Sequence, residues 1–314
     1  MNEVTDSASD AQKCRNLETS VAFNDHSGRS GNNRARLLVS CPDRPGIIAA
    51  VTQFLASAGC NILEADQHTS PSTAMFFMRI EFEHDAVSSH LQTLRGDFAS
   101  VAVQFEMNWQ MELVNRRKRV AVFVSKELHC LTELLWQWQA GDLFADISMV
   151  VSNHNAAEET VRTFGIPFYH LPISRETKLQ VEARQRELLG ADTDLIVLAR
   201  YMQILSPEFA ERFPRRIINI HHSFLPSFIG KQPYERAFER GVKLIGATAH
   251  YVTADLDAGP IIEQDVHRIT HRHEVDDLKR IGRLVERTVL ARAVKWHLED
   301  RVLTHGNKTV VFAQ

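Results

Sequence analysis

Several things are scarce in these 314 residues, and each scarcity excludes something. Only four cysteines occur, Cys14, Cys41, Cys60 and Cys130, and no two form a CxxC pair. A disulfide framework or a zinc knuckle does not fit that spacing, so reduced thiols are expected. No apolar run approaches the ~18 residues of a membrane helix. The opening MNEVTDSASDAQKCRNLE has no apolar stretch of the signal-peptide kind. The cytoplasm is therefore the expected compartment, with no membrane partner. Excess charge is missing too. The chain has 36 Lys and Arg against 39 Asp and Glu, a net −3, which gives no field suited to nucleic acid.

What is present is ordinary for a globular chain: 44% hydrophobic and 24% charged residues, enough for a core without disulfides or a structural metal. The length suits one large domain or two ordinary ones. The unusual count is 15 histidines, which can mark metal ligands, acid–base groups or neither.

Residues 1–34 are rich in Ser, Asn, Asp and Gly without periodicity and read as a disordered tail. Over 35–113, strand-like Leu37–Ser40 leads into a loop punctuated by Pro42, Pro45 and Gly46. A helix over Ile47–Ala56 follows and stops at Gly59. Strands are expected over Asn61–His68 and Ala74–Phe82, a helix over His84–Phe98 and a last strand over Val101–Glu112. That βαββαβ order predicts a small ferredoxin-like domain, an antiparallel sheet with two helices on one face. Arg116–Arg119 marks a linker, 114–119, more naturally a solvated hinge than a phosphate contact. From Val120 to the end, continuous apolar runs such as Val120–Val124 and Leu195–Ala199 alternate with helical segments. This predicts a mostly parallel, Rossmann-like α/β sheet, whose ligands bind beyond the carboxyl ends of the strands.

Glycine is absent from the first turn of that sheet, Ser125-Lys126-Glu127-Leu128-His129. A dinucleotide or nucleotide phosphate needs a glycine-bearing turn there, so NAD, FAD and ATP are disfavoured. The informative stretch is Ile217–Pro226. On a strand, Asn219 and His221 project to one face. An amide can donate to a developing oxyanion and an imidazole can move a proton. Alone, the pair reads more simply as a polar strand end. His222 is expected on the opposite face if the strand persists. A further strand, Gly246–Val252, carries His250 and leads into a loop with Asp255 and Asp257, which alone would be turn or capping residues. His267, His271 and His273 lie among arginines and read as surface histidines; a zinc site would need a fourth ligand.

Together, Asn219-Ile220-His221, His250 and Leu256-Asp257-Ala258-Gly259-Pro260 resemble the signature of the folate-dependent formyltransferase family. Leu198–Ser206 is similar to that family's folate-pocket segment. The domain bearing Asp43-Arg44-Pro45-Gly46 and Asn61-Ile62 resembles an ACT domain. An ACT domain followed by a formyltransferase-like domain, with no glycine-rich turn and with His222 where amine formyltransferases usually have proline, is similar to the branch that hydrolyses 10-formyltetrahydrofolate. The tail from Trp296 to Thr309 also resembles that branch. The resemblance implies a hydrolase that releases formate for purine synthesis and balances one-carbon pools. It implies catalysis by Asn219, His221 and Asp257 with support from His250, and no cofactor besides the folate substrate and water. It also implies a pterin pocket at Met202, Ile204 and Leu205, although these three side chains could equally be core. An amino-acid effector is implied at Asp43, Gly46, Asn61 and Ile62, together with a homodimer or homotetramer. A formyltransferase using an amine acceptor and a non-catalytic amino-acid sensor are the competing readings.

Overall fold

The computed structural model describes residues 33–225 and 233–313. The tail expected over 1–34 thus lies almost wholly outside the described residues, although Arg34 already belongs to the first strand. The N-terminal unit is β1 (Arg34–Pro42), α1 (Ile47–Ser57), β2 (Asn61–Ser70), β3 (Met75–Glu83), α2 (Val87–Gln104) and β4 (Asn108–Leu113). Its sheet has the order β2-β3-β1-β4, antiparallel throughout. Leu37 and Val39 of β1 pack with Val51 and Leu55 of α1 and with Phe98 of α2 in one core.

The strand expected from Val101 begins only at Asn108. Leu91, Leu94, Phe98 and Ala102 keep a helical spacing and are all buried, so α2 runs on and Val103 is left facing solvent. Glu106, at φ 54°, then turns the chain into β4. Alternating β-branched residues in Val101–Val103 mimic a strand, but burial of the 3.6-residue stripe decides the outcome.

The second unit is α/β. Its elements are β5 (Lys118–Val124), α3 (His129–Ala140), β6 (Ala145–Ser152), α4 (Glu158–Thr163), β7 (Phe168–His170), α5 (Lys178–Leu189), β8 (Leu195–Ala199), α6 (Pro207–Arg212), β9 (Ile217–His221), α7 (Pro233–Arg240), β10 (Leu244–Tyr251), β11 (Ile261–Arg268) and α8 (Val275–Leu298). The seven strands run β11-β10-β9-β8-β5-β6-β7. The five from β7 to β9 are parallel; β10 and β11 are antiparallel. All of β8 and nearly all of β5 are buried, as their unbroken apolar sequences require.

The basic run at 116–119 is linker only in its first half, where Arg116 and Arg117 are exposed outside any strand. Lys118 and Arg119 are already in β5. Lys118 pairs with Asp300, and the Arg119 N–H donates to Asp194 Oδ2 at 2.7 Å. The chain ends in a hairpin, β12 (Val302–His305) and β13 (Lys308–Val311). Its Leu303 packs with Leu38 and Phe77 on the face of the first sheet turned away from the helices. Arg36–Asp300 (3.5 Å) and Arg301–Glu64 (3.7 Å) pair charges across the same junction.

Candidate active site

The strand order reverses beside β5, where β6 leads one way and β8 the other. The carboxyl end of a parallel sheet at such a switch point is where ligands bind. β9 reaches that edge, and β10 returns beside it. Asn219 and His250 are cross-strand partners, as are His221 and Thr248. Asn219 Nδ2 lies 3.2 Å from His250 Nε2, and His250 Nδ1 lies 3.0 Å from the Tyr251 carbonyl oxygen. A carbonyl only accepts, so His250 carries its proton on Nδ1 and receives an amide N–H at Nε2 when neutral.

The loop after β10 closes this cluster. Asp257, in a left-handed conformation at φ 53°, puts Oδ2 3.2 Å from His221 Nδ1 and Oδ1 3.5 Å from His250 Nε2. The adjacent imidazoles, His221 first and then His250, hold the Asp257 carboxyl well below the usual carboxylate range. His221 Nδ1 therefore points at an ionised carboxylate. Its Nε2 is buried with no hydrogen-bond partner among the described residues, which leaves that nitrogen to take or give a proton. Residue 259 must be glycine for the loop to lie here, because a Cβ would stand 1.9 Å from the Tyr251 carbonyl oxygen.

His222 does not take the opposite face. β9 ends at His221, the backbone bends, and the two imidazoles stack at 5.2 Å and 18°. Burial, then the nearby Arg200 and His221, pushes His222 down to about 4, so it is neutral at physiological pH. Thr248 fixes this bend. Its hydroxyl donates to the Ser223 carbonyl (3.0 Å) and accepts from the Leu225 N–H (3.1 Å) and the Gln264 amide (2.9 Å), which fills the capacity of a hydroxyl. Pro226 lies outside the described residues.

Beyond β8, Arg200 and Met202 both have positive φ, 62° and 58°. Between them Tyr201 is buried edge-on against Phe123 at 5.2 Å and accepts from Gln185 at 2.7 Å. The Ser206 N–H donates to Glu182 Oε1 at 2.9 Å. Anchored at both ends, the loop turns Met202 and Ile204 outward, 59% and 60% exposed, and leaves Leu205 half-buried. The core reading therefore fails for Met202 and Ile204: they are apolar groups held open at the ligand edge of the sheet.

Sequence reasoning missed a buried polar group beside this edge. Glu286 of α8, 1% exposed, accepts from Tyr234 Oη at 2.7 Å and bonds His129 Nε2 at 2.8 Å; Arg200 Nε lies 3.4 Å away. His129 stands where a glycine-rich turn would otherwise be. Its substitution there was visible, but a glutamate 157 residues away on an amphipathic helix reads as surface. His129, Cys130 and Glu286 bring ligand-type atoms within 4.8 Å of one another. They do not suit a metal ion: Tyr234, His129 and Arg200 already engage both carboxylate oxygens, and burial pushes the Cys130 thiol well up.

In the first unit, the Asp43–Gly46 loop is exposed. Gly46, at φ 94°, starts α1, and the Asp43 N–H donates to the Ala74 carbonyl at 2.8 Å. Asn61 Nδ2 donates to Glu83 Oε1 at 2.9 Å, and Ile62 packs against the core.

Comparison with known proteins identifies the family of both units. The formyl transferase family model matches residues 118–294 and the ACT domain model residues 35–95. A formyltetrahydrofolate deformylase of Bacillus subtilis is 58% identical over 287 residues, 90% of this chain and 96% of its own. The chain belongs to the formyltetrahydrofolate deformylase family. The deformylase of Escherichia coli is 41% identical over 88% of this chain and 98% of its own. The crystal structure of a deformylase from Pseudomonas syringae superposes with a TM-score of 0.88 at 47% identity, covering 91% and 97% of the two chains. A glycinamide ribonucleotide transformylase from Symbiobacterium toebii covers 63% of this chain and 95% of its own, with a TM-score of 0.58 at 30% identity. The deformylases thus span both units. Among the described residues, no helix is long and apolar enough to cross a membrane.

Proposed function

We propose that the chain hydrolyses 10-formyltetrahydrofolate to formate and tetrahydrofolate, with Asn219, His221 and Asp257 as the reacting set and His250 in support. The observation that carries this is the His221–Asp257 pair. The carboxylate stays ionised, holds His221 Nδ1, and leaves His221 Nε2 directed into the site. Water adds to the formyl carbon, and the carbonyl electron pair moves onto oxygen. The second N–H of Asn219, the one not given to His250, and protonated His221 stabilise that oxyanion. Asp257 accepts a hydrogen bond from the attacking water and relays its proton towards N10 as the C–N10 bond breaks. His250, fixed by the Tyr251 carbonyl, holds the Asn219 amide in place.

Met202, Ile204 and Leu205 would form the apolar wall for the pterin, with loop backbone groups reading its polar edge. The ACT unit, with Asp43, Gly46, Asn61 and Ile62, would take an amino-acid effector in a homodimer or homotetramer of the cytoplasm. Purified protein given 10-formyltetrahydrofolate with no amine should release formate and tetrahydrofolate in equal amounts. Strict dependence on an added amine would refute the hydrolase in favour of a transferase. Folate binding without turnover would leave a sensor.

A further inference from the structure

The two units do not close completely on each other. Between them lies a cleft of about 550 Å³, walled by β1 and β4 on one side and by the start of β5, the α6–β9 turn and the end of α8 on the other. Five basic side chains line it against three acidic ones. Each acid is already matched: Glu112 with Arg95 (2.9 Å), Asp194 with Arg116 (2.8 Å) and Asp300 with Lys118. Among the described residues, Arg215 and Arg216 have no carboxylate partner. Arg216 lies over the Phe213 ring at 5.3 Å and donates only to the carbonyls of Thr193 and Arg212. Arg215 is exposed and sits in the left-handed region at φ 59°, the third residue of a turn closed by the Arg216 N–H on the Phe213 carbonyl at 3.1 Å. Trp109 of β4, half-buried, adds an apolar wall.

The floor of the cleft touches the reacting groups through one residue. The Tyr251 hydroxyl hydrogen-bonds His297 Nδ1 at 2.7 Å, and Lys118 Nζ donates to the His297 carbonyl at 3.2 Å. The carbonyl of the same Tyr251 accepts from His250 Nδ1 and abuts Gly259, which follows Asp257 in its loop.

We propose that this cleft is a binding site for a small anion, whose phosphate or carboxylate head pairs with Arg215 and Arg216. Its occupation acts on His250 through Tyr251. The site is separate from the Asp43–Gly46 loop. Its volume suits a small organic molecule rather than a lone ion, and two cations without acidic partners favour an anionic head. The effect on turnover rests on the hydrolase reading above; binding itself does not.

The test uses the full chain and two probes, adenosine monophosphate for a phosphate head and citrate for carboxylates, each against KCl at matched ionic strength. Thermal midpoint and tryptophan emission report binding, with Trp109→Phe identifying the local signal. At least one probe should give a saturable response and change kcat or KM for 10-formyltetrahydrofolate roughly fivefold or more. Arg215→Asn keeps a residue that tolerates positive φ and should weaken binding roughly tenfold or more; Arg215→Glu should abolish it. No saturable response to either probe, or equal affinity in both variants, overturns the site. Saturation with unchanged kcat and KM overturns the coupling. Because binding is read without turnover, failure of the hydrolase reading would appear separately, as a bound probe in a protein that releases no formate.

Discussion

The Tyr251 carbonyl oxygen occupies the space into which a Cβ on residue 259 would project, 1.9 Å from it. Neither atom can yield cheaply, since the same oxygen holds His250 Nδ1. Gly259→Ala should therefore push the loop outward and pull Asp257 away from His221. A displacement of that kind, near 1 Å, costs on the order of 10²-fold in rate. Steady-state kinetics should show the loss in kcat while circular dichroism stays as in the wild type. Full activity in the alanine variant would mean that the loop is not a fixed part of the site.

Asn219→Ala removes an oxyanion donor and also the partner of His250 Nε2. A fall in kcat of roughly 10²–10³ is expected, with a smaller change in KM, because the interaction strengthens only as charge develops. A loss confined to KM would instead assign Asn219 to substrate binding.

Asp257 gives a pH signature. Its carboxyl is held below the ordinary value in the folded chain, so its bonds to His221 and His250 stabilise the fold above the unfolded carboxylate range and lose that effect as pH falls through the folded value. The thermal midpoint of the wild type should exceed that of Asp257→Asn at neutral pH. The gap should begin to narrow below about pH 4, where an unfolded carboxylate takes up its proton. A gap that widens on acidification would contradict the ionised assignment.

Glu286 offers a stability test. Replacing it by alanine leaves the Arg200 guanidinium buried without a counter-charge, a loss of about 3–5 kcal/mol in comparable cases. Urea denaturation should report it. Arg200→Met combined with Glu286→Leu should recover much of the loss, because removing both charges also removes the cost of burying one alone. Equal destabilisation in the single and double variants would place the contribution in packing.

The proposed reacting set was legible through the family resemblance, because its members sit in short, spaced motifs: Asn219 with His221, then His250, then Asp257. Their arrangement was only partly legible. Strand alternation put Asn219 and His221 on one face. That Asn219 and His250 would be direct cross-strand partners depends on β10 running antiparallel to β9, which local pattern does not reveal. The opposite face expected for His222 required the strand to persist, and β9 ends one residue earlier. Gly259 was visible as part of a Gly-Pro loop, but its reason is a carbonyl eight residues away. Glu286 and Arg79, 1% and 0% exposed, were illegible for the same cause. Charged residues on amphipathic elements look solvated until their partners, Arg200 and Glu64, are placed by the fold.

The hairpin that covers Leu38 and Phe77 has a consequence for how the molecule is made. The first sheet leaves the ribosome long before Leu303 is synthesised, and every strand of the second sheet is translated between them. Throughout that interval Leu38 and Phe77 stand uncovered on a face otherwise made of charged and polar residues such as Arg36, Arg79 and Glu81, while Asp300 and Arg301, the partners of Arg36 and Glu64, are still unmade. Final docking of the two units is thus timed by translation, and it comes after the sheet that carries Asn219 and His221 is already in hand.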